Sequence, residues 1–152
     1  MKYNLFLDDI RFPYINPDNY TGLDKNNIET FISAWHYSKF EPFKTEEWII
    51  VRTHDDFIEY VEKYGVPELV AFDHDLGDEH YPINKQSKND KEIDYSLFIE
   101  KTGYDSAKWL CHYCEINNVK FPNYYVHSWN KVGVKNITTY IENYKKHIEN
   151  ER

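Results

Sequence analysis

The residues best placed to do chemistry are Asp73, His74 and Asp75, which follow the apolar run Leu69–Phe72 and precede Leu76-Gly77. Two carboxylates and an imidazole in succession are groups that bind cations and move protons, the imidazole close to neutral pH. A short apolar run that stops at polar residues and a glycine predicts a buried strand of a parallel sheet. In open α/β sheets, ligands bind in the crevice beyond the carboxyl ends of the strands. These three groups stand at that position.

The segments that must carry such a site follow from patterning. Lys2–Leu7 predicts a first strand ending in Asp8-Asp9, with Arg11 and Pro13 just beyond. Trp48–Val51 predicts a second, running into Arg52-Thr53, and Tyr124–His127 a fourth, closing on Ser128-Trp129-Asn130. Ile28, Phe31, Ile32 and Trp35 recur at i, i+3, i+4 and i+7, which predicts a short helix capped by Asn26 or Asn27. Lys39–Glu47 reads as irregular. Phe57, Val61 and Tyr64 line a helix opened by Thr53 or Asp55 and ended by Gly65 and Pro67. A further helix from Thr102 or Asp105 buries Ala107, Leu110, Cys111 and Cys114, and a last one after Gly133 carries Val134, Ile137, Ile141, Tyr144 and Ile148. Asp78–Glu92 is polar without periodicity and reads as a long loop bordering the site.

Alternating strands and helices predict an α/β fold. Right-handed crossovers put the four strand ends at one edge, where Asp8, Asp9, Arg11, Arg52, Asp73, His74, Asp75, His127, Ser128 and Asn130 converge. The 152 residues are expected to form one domain over 1–152, and 41% hydrophobic content with 14 Tyr, 9 Phe and 4 Trp gives enough for a packed core. A net charge of −8 argues against a broad surface for duplex DNA, though a few arginines or a metal can reverse the field in one cleft. No apolar run approaches a membrane span, no signal-peptide core follows Met1-Lys2, and two cysteines make no disulfide framework, so a cytoplasmic location is expected.

Five motifs, LFLDDIRFP, WIIVRT, FDHDLG, TGYDSAKWL and VHSWNKVGVKNI, run in order from Leu5 to Ile137. Together they resemble the cyclic-phosphate-processing receiver-like domain family, an offshoot of the response-regulator receiver fold. The resemblance implies a three-layer, flavodoxin-like parallel sheet of four strands in the order 2-1-3-4 with flanking helices. The receiver's last β/α unit is missing, and stretches are inserted near 14–47 and 78–100. It implies action on a nucleotide or RNA end that carries a cyclic phosphate. Asp8 and Asp9 resemble the acidic pair that holds Mg²⁺ in receivers, Asp73 the phosphoacceptor, and Ser128 the hydroxyl residue that contacts phosphoryl oxygens. His74, His127, Asn130 and Arg11 belong to the specialised family's motifs. A receiver's fifth-strand lysine has no counterpart, and Lys131 is not an evident replacement.

Three or four carboxylates at one edge repel one another, and a divalent cation such as Mg²⁺ or Mn²⁺ on Asp8, Asp9 and Asp73, with Asp75 as a fourth, resolves this. Ion pairs with Arg11 and Arg52 resolve it as well. Opening a cyclic phosphodiester needs a base and an acid, for which His74 and His127 are the candidates beside Asp73, in either assignment. Arg11 and Arg52 suit the non-bridging oxygens, and Ser128 and Asn130 can donate to the phosphate or else cap the next turn. The expected function is a metal-dependent phosphoester hydrolase acting on a cyclic-phosphate nucleotide or RNA terminus. The alternatives are a signalling module phosphorylated on Asp73 and a non-catalytic nucleotide- or protein-binding domain. Cys111 and Cys114 lie on the apolar face within a helix and read as core rather than redox thiols. His36, His54, His80, His112 and His147 have no constellation around them. Trp35, Trp48, Trp109 and Trp129 read mostly as core, although Trp129 and Tyr104, next to site motifs, could stack a base.

Overall fold

A computed structural model describes residues 2–77 and 101–151, apart from 17, 19, 22, 24, 25, 28 and 29. The polar loop expected over 78–92, the inserted stretch up to 100, and His80 within it lie outside the described residues.

Four short apolar runs become strands β1 (Asn4–Leu7), β2 (Ile49–Val51), β3 (Leu69–Phe72) and β4 (Asn123–Val126). They pair in parallel in the order β2-β1-β3-β4, as expected. The register matters for function. Leu7 lies opposite both Val51 and Phe72, and Phe72 lies opposite Val126, so all four strands end in step. The next residues, Asp8, Arg52, Asp73 and His127, therefore form one row across the carboxyl edge. Backbone bonds from Asp8 N–H to the Val51 carbonyl (3.2 Å), from Asp73 to Leu7 (2.9 Å) and from His127 to Phe72 (2.9 Å) extend the ladder into that row.

Period-two alternation divides the sheet between two cores. Leu5, Leu7, Val70 and Phe72 face helices α3 (His54–Tyr64), α4 (Gly103–Ile116) and α5 (Lys131–Glu151), burying Phe57, Val61, Ala107, Leu110, Cys111, Cys114, Ile137 and Ile141. Phe6 and Ala71 face the opposite way. They pack with Ile32, Phe43 and Trp48 beneath helices α1 (Ala34–Lys39) and α2 (Pro42–Thr45). Thr53 caps α3 by accepting from Asp56 N–H, and Gly65 ends it at φ +84°. Thr102 and Asp105 form a reciprocal capping box on α4. Cys111 and Cys114 are buried free thiols, which burial raises to about 12. Among the described residues, no helix is long and apolar enough to cross a membrane.

The first inserted stretch differs from expectation. Of the helix read over 28–35, residues 28 and 29 lie outside the described residues, and among the rest α1 begins only at Ala34, with Ser33 as its cap. Phe31 is bridged to Phe12, whose N–H and carbonyl bond to Thr30 and Ile32, so the backbone here is committed to a neighbouring segment. Phe31 and Ile32 are buried from this non-helical backbone, whereas Trp35 is exposed. The stretch read as irregular contains α2, opened by Pro42 in its first turn and anchored by Phe43.

Candidate functional site

Asp8 organises the row. Its Oδ1 accepts from the backbone N–H groups of Ile10 (3.1 Å) and Arg11 (2.7 Å), folding the chain back after β1. Its Oδ2 accepts from Arg11 Nε (2.9 Å) and from His127 Nε2 (3.1 Å). Arg11 then donates through Nη2 to Asp73 Oδ2 (2.8 Å), so one guanidinium bridges two buried carboxylates. Asp73 Oδ1 accepts from the N–H of His74 (2.8 Å). Arg52 acts one layer back. Its Nη1 donates to the carbonyl oxygens of Asp8 (2.9 Å) and Arg11 (2.6 Å), and its guanidinium covers the Phe12 ring at 4.4 Å.

The charges do not balance evenly. Burial raises the Asp8 carboxyl, but the His127 hydrogen bond and the Arg11 charge outweigh it and hold Asp8 at about 2. Asp73 is pushed well above the carboxylate range by burial first, then by the Asp8 charge, which Arg11 offsets only in part. Burial lowers His127, against the pull of Asp8, so its neutral form is favoured. With Nε2–H given to Asp8, its Nδ1 is a buried lone pair with no hydrogen-bond partner. An oxygen from each of Asp8, Asp9 and Asp73 lies within 4.8 Å of the others. That excess of negative charge and an all-oxygen donor set fit a hard divalent cation such as Mg²⁺ or Mn²⁺.

A second cluster adjoins the first. His74 Nδ1 lies 2.8 Å from Asp75 Oδ1. Asn130 caps α5, its Oδ1 accepting from Gly133 N–H (2.9 Å), which turns its Nδ2 towards Asp75 Oδ1 (3.2 Å) and Oδ2 (3.4 Å). Asn130 Nδ2 also lies 3.3 Å from His74 Nδ1, so the Asp75 carboxylate and the Asn130 amide together orient the imidazole through its Nδ1 edge. Two glycines make room. A Cβ at Gly133 would lie 2.3 Å from His74 Cγ, and one at Gly103 would lie 1.7 Å from the Asp73 carbonyl oxygen. Gly103 N–H also donates to the His74 carbonyl (2.8 Å).

Of the residues singled out from sequence, the fold brings Asp8, Asp9, Arg11, Asp73 and His127 into one cluster. It places His74, Asp75 and Asn130 in the next. Asp75 serves His74 and Asn130, outside the trio of closely spaced carboxylates. Ser128 is buried and accepts from Asn130 N–H (3.2 Å). The two imidazoles sit on opposite sides of the sheet. His127 stacks on Phe6 at 4.6 Å, whereas His74 lies against Gly133 of α5.

Several participants were not read from the sequence. His36, taken to have no constellation, is buried beside His127 (ring centroids 6.4 Å), with Nδ1 at 3.1 Å from the Tyr125 hydroxyl and Nε2 without a hydrogen-bond partner. His54 pairs with Ser106 Oγ at 2.9 Å, joining α3 to α4. Trp35, read as core, is 53% exposed, and Trp129, read as core or as a residue able to stack a base, is 61% exposed. The one available signal was glycine inside the first turn of two helices, at Gly103 and Gly133, where poor helix propensity asks for a packing reason.

A parallel sheet ordered 2-1-3-4, with acidic residues ending β1 and β3, defines a receiver-like α/β protein. The chain belongs to the cyclic-phosphate processing receiver domain family, whose model matches residues 3–143. This membership points to a role in cyclic-phosphate processing. No curated protein and no solved structure matches the chain.

Proposed function

We propose that this protein is a divalent-metal-dependent phosphoesterase that opens a cyclic phosphate on a nucleotide or RNA end. The observation that carries this reading is the Arg11 fork between two buried aspartates, beside a third carboxylate, at the edge where α/β sheets bind ligands. Asp8, Asp9 and Asp73 would hold the cation, which when bound supplies charge neutralisation and polarises a phosphate oxygen. Arg11 recognises the non-bridging oxygens, for which it releases at least one of its two carboxylates. His74, oriented by Asp75, takes the proton of the attacking water. His127 holds Asp8 from behind and keeps Nδ1 as a further proton-accepting site. Water adds to phosphorus, one ring P–O bond breaks, the released alkoxide gains a proton, and a phosphomonoester remains.

The test is a set of initial rates on 2′,3′-cyclic and 3′,5′-cyclic AMP with Mg²⁺ or Mn²⁺. Wild type is compared with Asp73→Asn, His74→Ala and His127→Ala, each checked for fold by circular dichroism. Loss of a proton-transfer group costs about 10²- to 10⁴-fold, and that loss is expected for His74→Ala. Wild-type rates in all three folded variants would reject the site.

A further inference from the structure

The two exposed indoles have no role in the account so far. Trp35, in α1, and Trp129, between Ser128 and Asn130 at the end of β4, come from distant parts of the chain, yet their rings are 6.1 Å apart. They are tilted by 39° and so do not stack face to face on one another. Both border the buried His36, at 4.9 Å from Trp35 and 5.1 Å from Trp129. His36 in turn meets His127 edge-on, and His127 bonds to Asp8. The indole pair thus lies two rings away from the acidic row and on the same side of the sheet as His127.

We infer that Trp35 and Trp129 form the platform on which the substrate's nucleobase stacks, while its phosphate sits at Arg11 and the aspartates. This rests on the phosphate reading above and narrows its substrate to a base-bearing nucleotide. Three observations support that occupant. The two large rings, exposed and adjoining, form an apolar patch of the kind that marks a binding surface. Their faces suit any base, since stacking needs only a π-surface. His36, buried against both rings and edge-on to His127, ties the pair to the row. The place of Trp129, directly after Ser128 where β4 reaches the carboxyl edge, also argues for a nucleotide, whose base and phosphate are joined in one molecule.

Calorimetric binding separates this from the phosphate reading. The probes are 2′,3′-cyclic AMP, the same cyclic phosphate on an abasic 1-O-methyl ribose, and adenosine. Wild type is compared with the Trp35→Ala/Trp129→Ala double variant, with Trp35→Tyr/Trp129→Phe, which keeps a ring at each position, and with Arg11→Ala. Wild type is expected to bind the cyclic nucleotide about 10- to 100-fold tighter than the abasic compound. That preference falls towards unity in the alanine double variant and largely survives in the aromatic one. Equal binding of the two cyclic phosphates by wild type overturns the platform and leaves the phosphate site standing. Adenosine binding that depends on the indoles, with no gain from the cyclic phosphate or from Arg11, supports the platform and refutes the phosphate site. No binding of any probe refutes both.

Discussion

Arg11 is the residue on which the site's electrostatics turn. It pairs with both Asp8 and Asp73, and removing one partner of a buried ion pair leaves an uncompensated charge. Arg11→Ala is therefore expected to destabilise the cation-free protein by about 3–5 kcal/mol. Mg²⁺ is expected to restore part of that loss, so its effect on the urea midpoint is larger in the variant than in wild type. Equal Mg²⁺ effects in the two proteins would contradict the shared use of these carboxylates. His36 supplies a pH signature of its own. Burial, then the neighbouring His127 and Arg11, hold it at about 4, below its ordinary 6.5, with only the Ser128 backbone pulling the other way. As pH falls from 6.5 towards 4, the unfolded chain takes up the proton first, so stability is lost across that interval. The urea midpoint of wild type should fall more between pH 7 and pH 5 than that of His36→Phe. Parallel falls would show that His36 does not titrate as described. The Arg11 ion pairs were one of the two ways the sequence offered to offset the acidic cluster, whereas the pairing of Asp8 with His127 and the burial of His36 beside it were not legible. Asp8 and His127 are 119 residues apart, and only the assembled sheet decides that they pair.

At the scale of elements, the strands were legible and the first helices were not. Each strand is an apolar run halted by charged or polar residues, and that pattern has no competing explanation over four residues. The segment before α1 carried a misleading period because Phe31 and Ile32 are buried from an extended backbone tied to Phe12. Trp35 was misplaced for the same reason, since the face it was assigned to does not exist. The helix starts left open between two residues were decided by side-chain caps, Thr53 on α3 and Thr102 with Asp105 on α4. Helices α4 and α5 approach the end of β3 so closely that glycine is required. Gly103→Ala meets backbone, which cannot yield, and should cost about 3 kcal/mol in urea unfolding, at the upper end of ordinary overpacking. Gly133→Ala meets the His74 ring and its Cβ, so it should displace His74 and lower kcat as well as stability. Native turnover in Gly133→Ala would mean that the His74 orientation is not needed.

At the scale of the molecule, the register does most of the work. Four parallel strands that end together turn four separated sequence segments into one row of functional groups. The chemistry proposed for that row is tested most directly by ³¹P NMR of wild-type protein with Mg²⁺ and 2′,3′-cyclic AMP, followed over time and repeated with Asp73→Asn. The predicted result is replacement of the cyclic-phosphate resonance by that of a phosphomonoester in wild type alone. A cyclic resonance that persists unchanged in wild type would contradict the account.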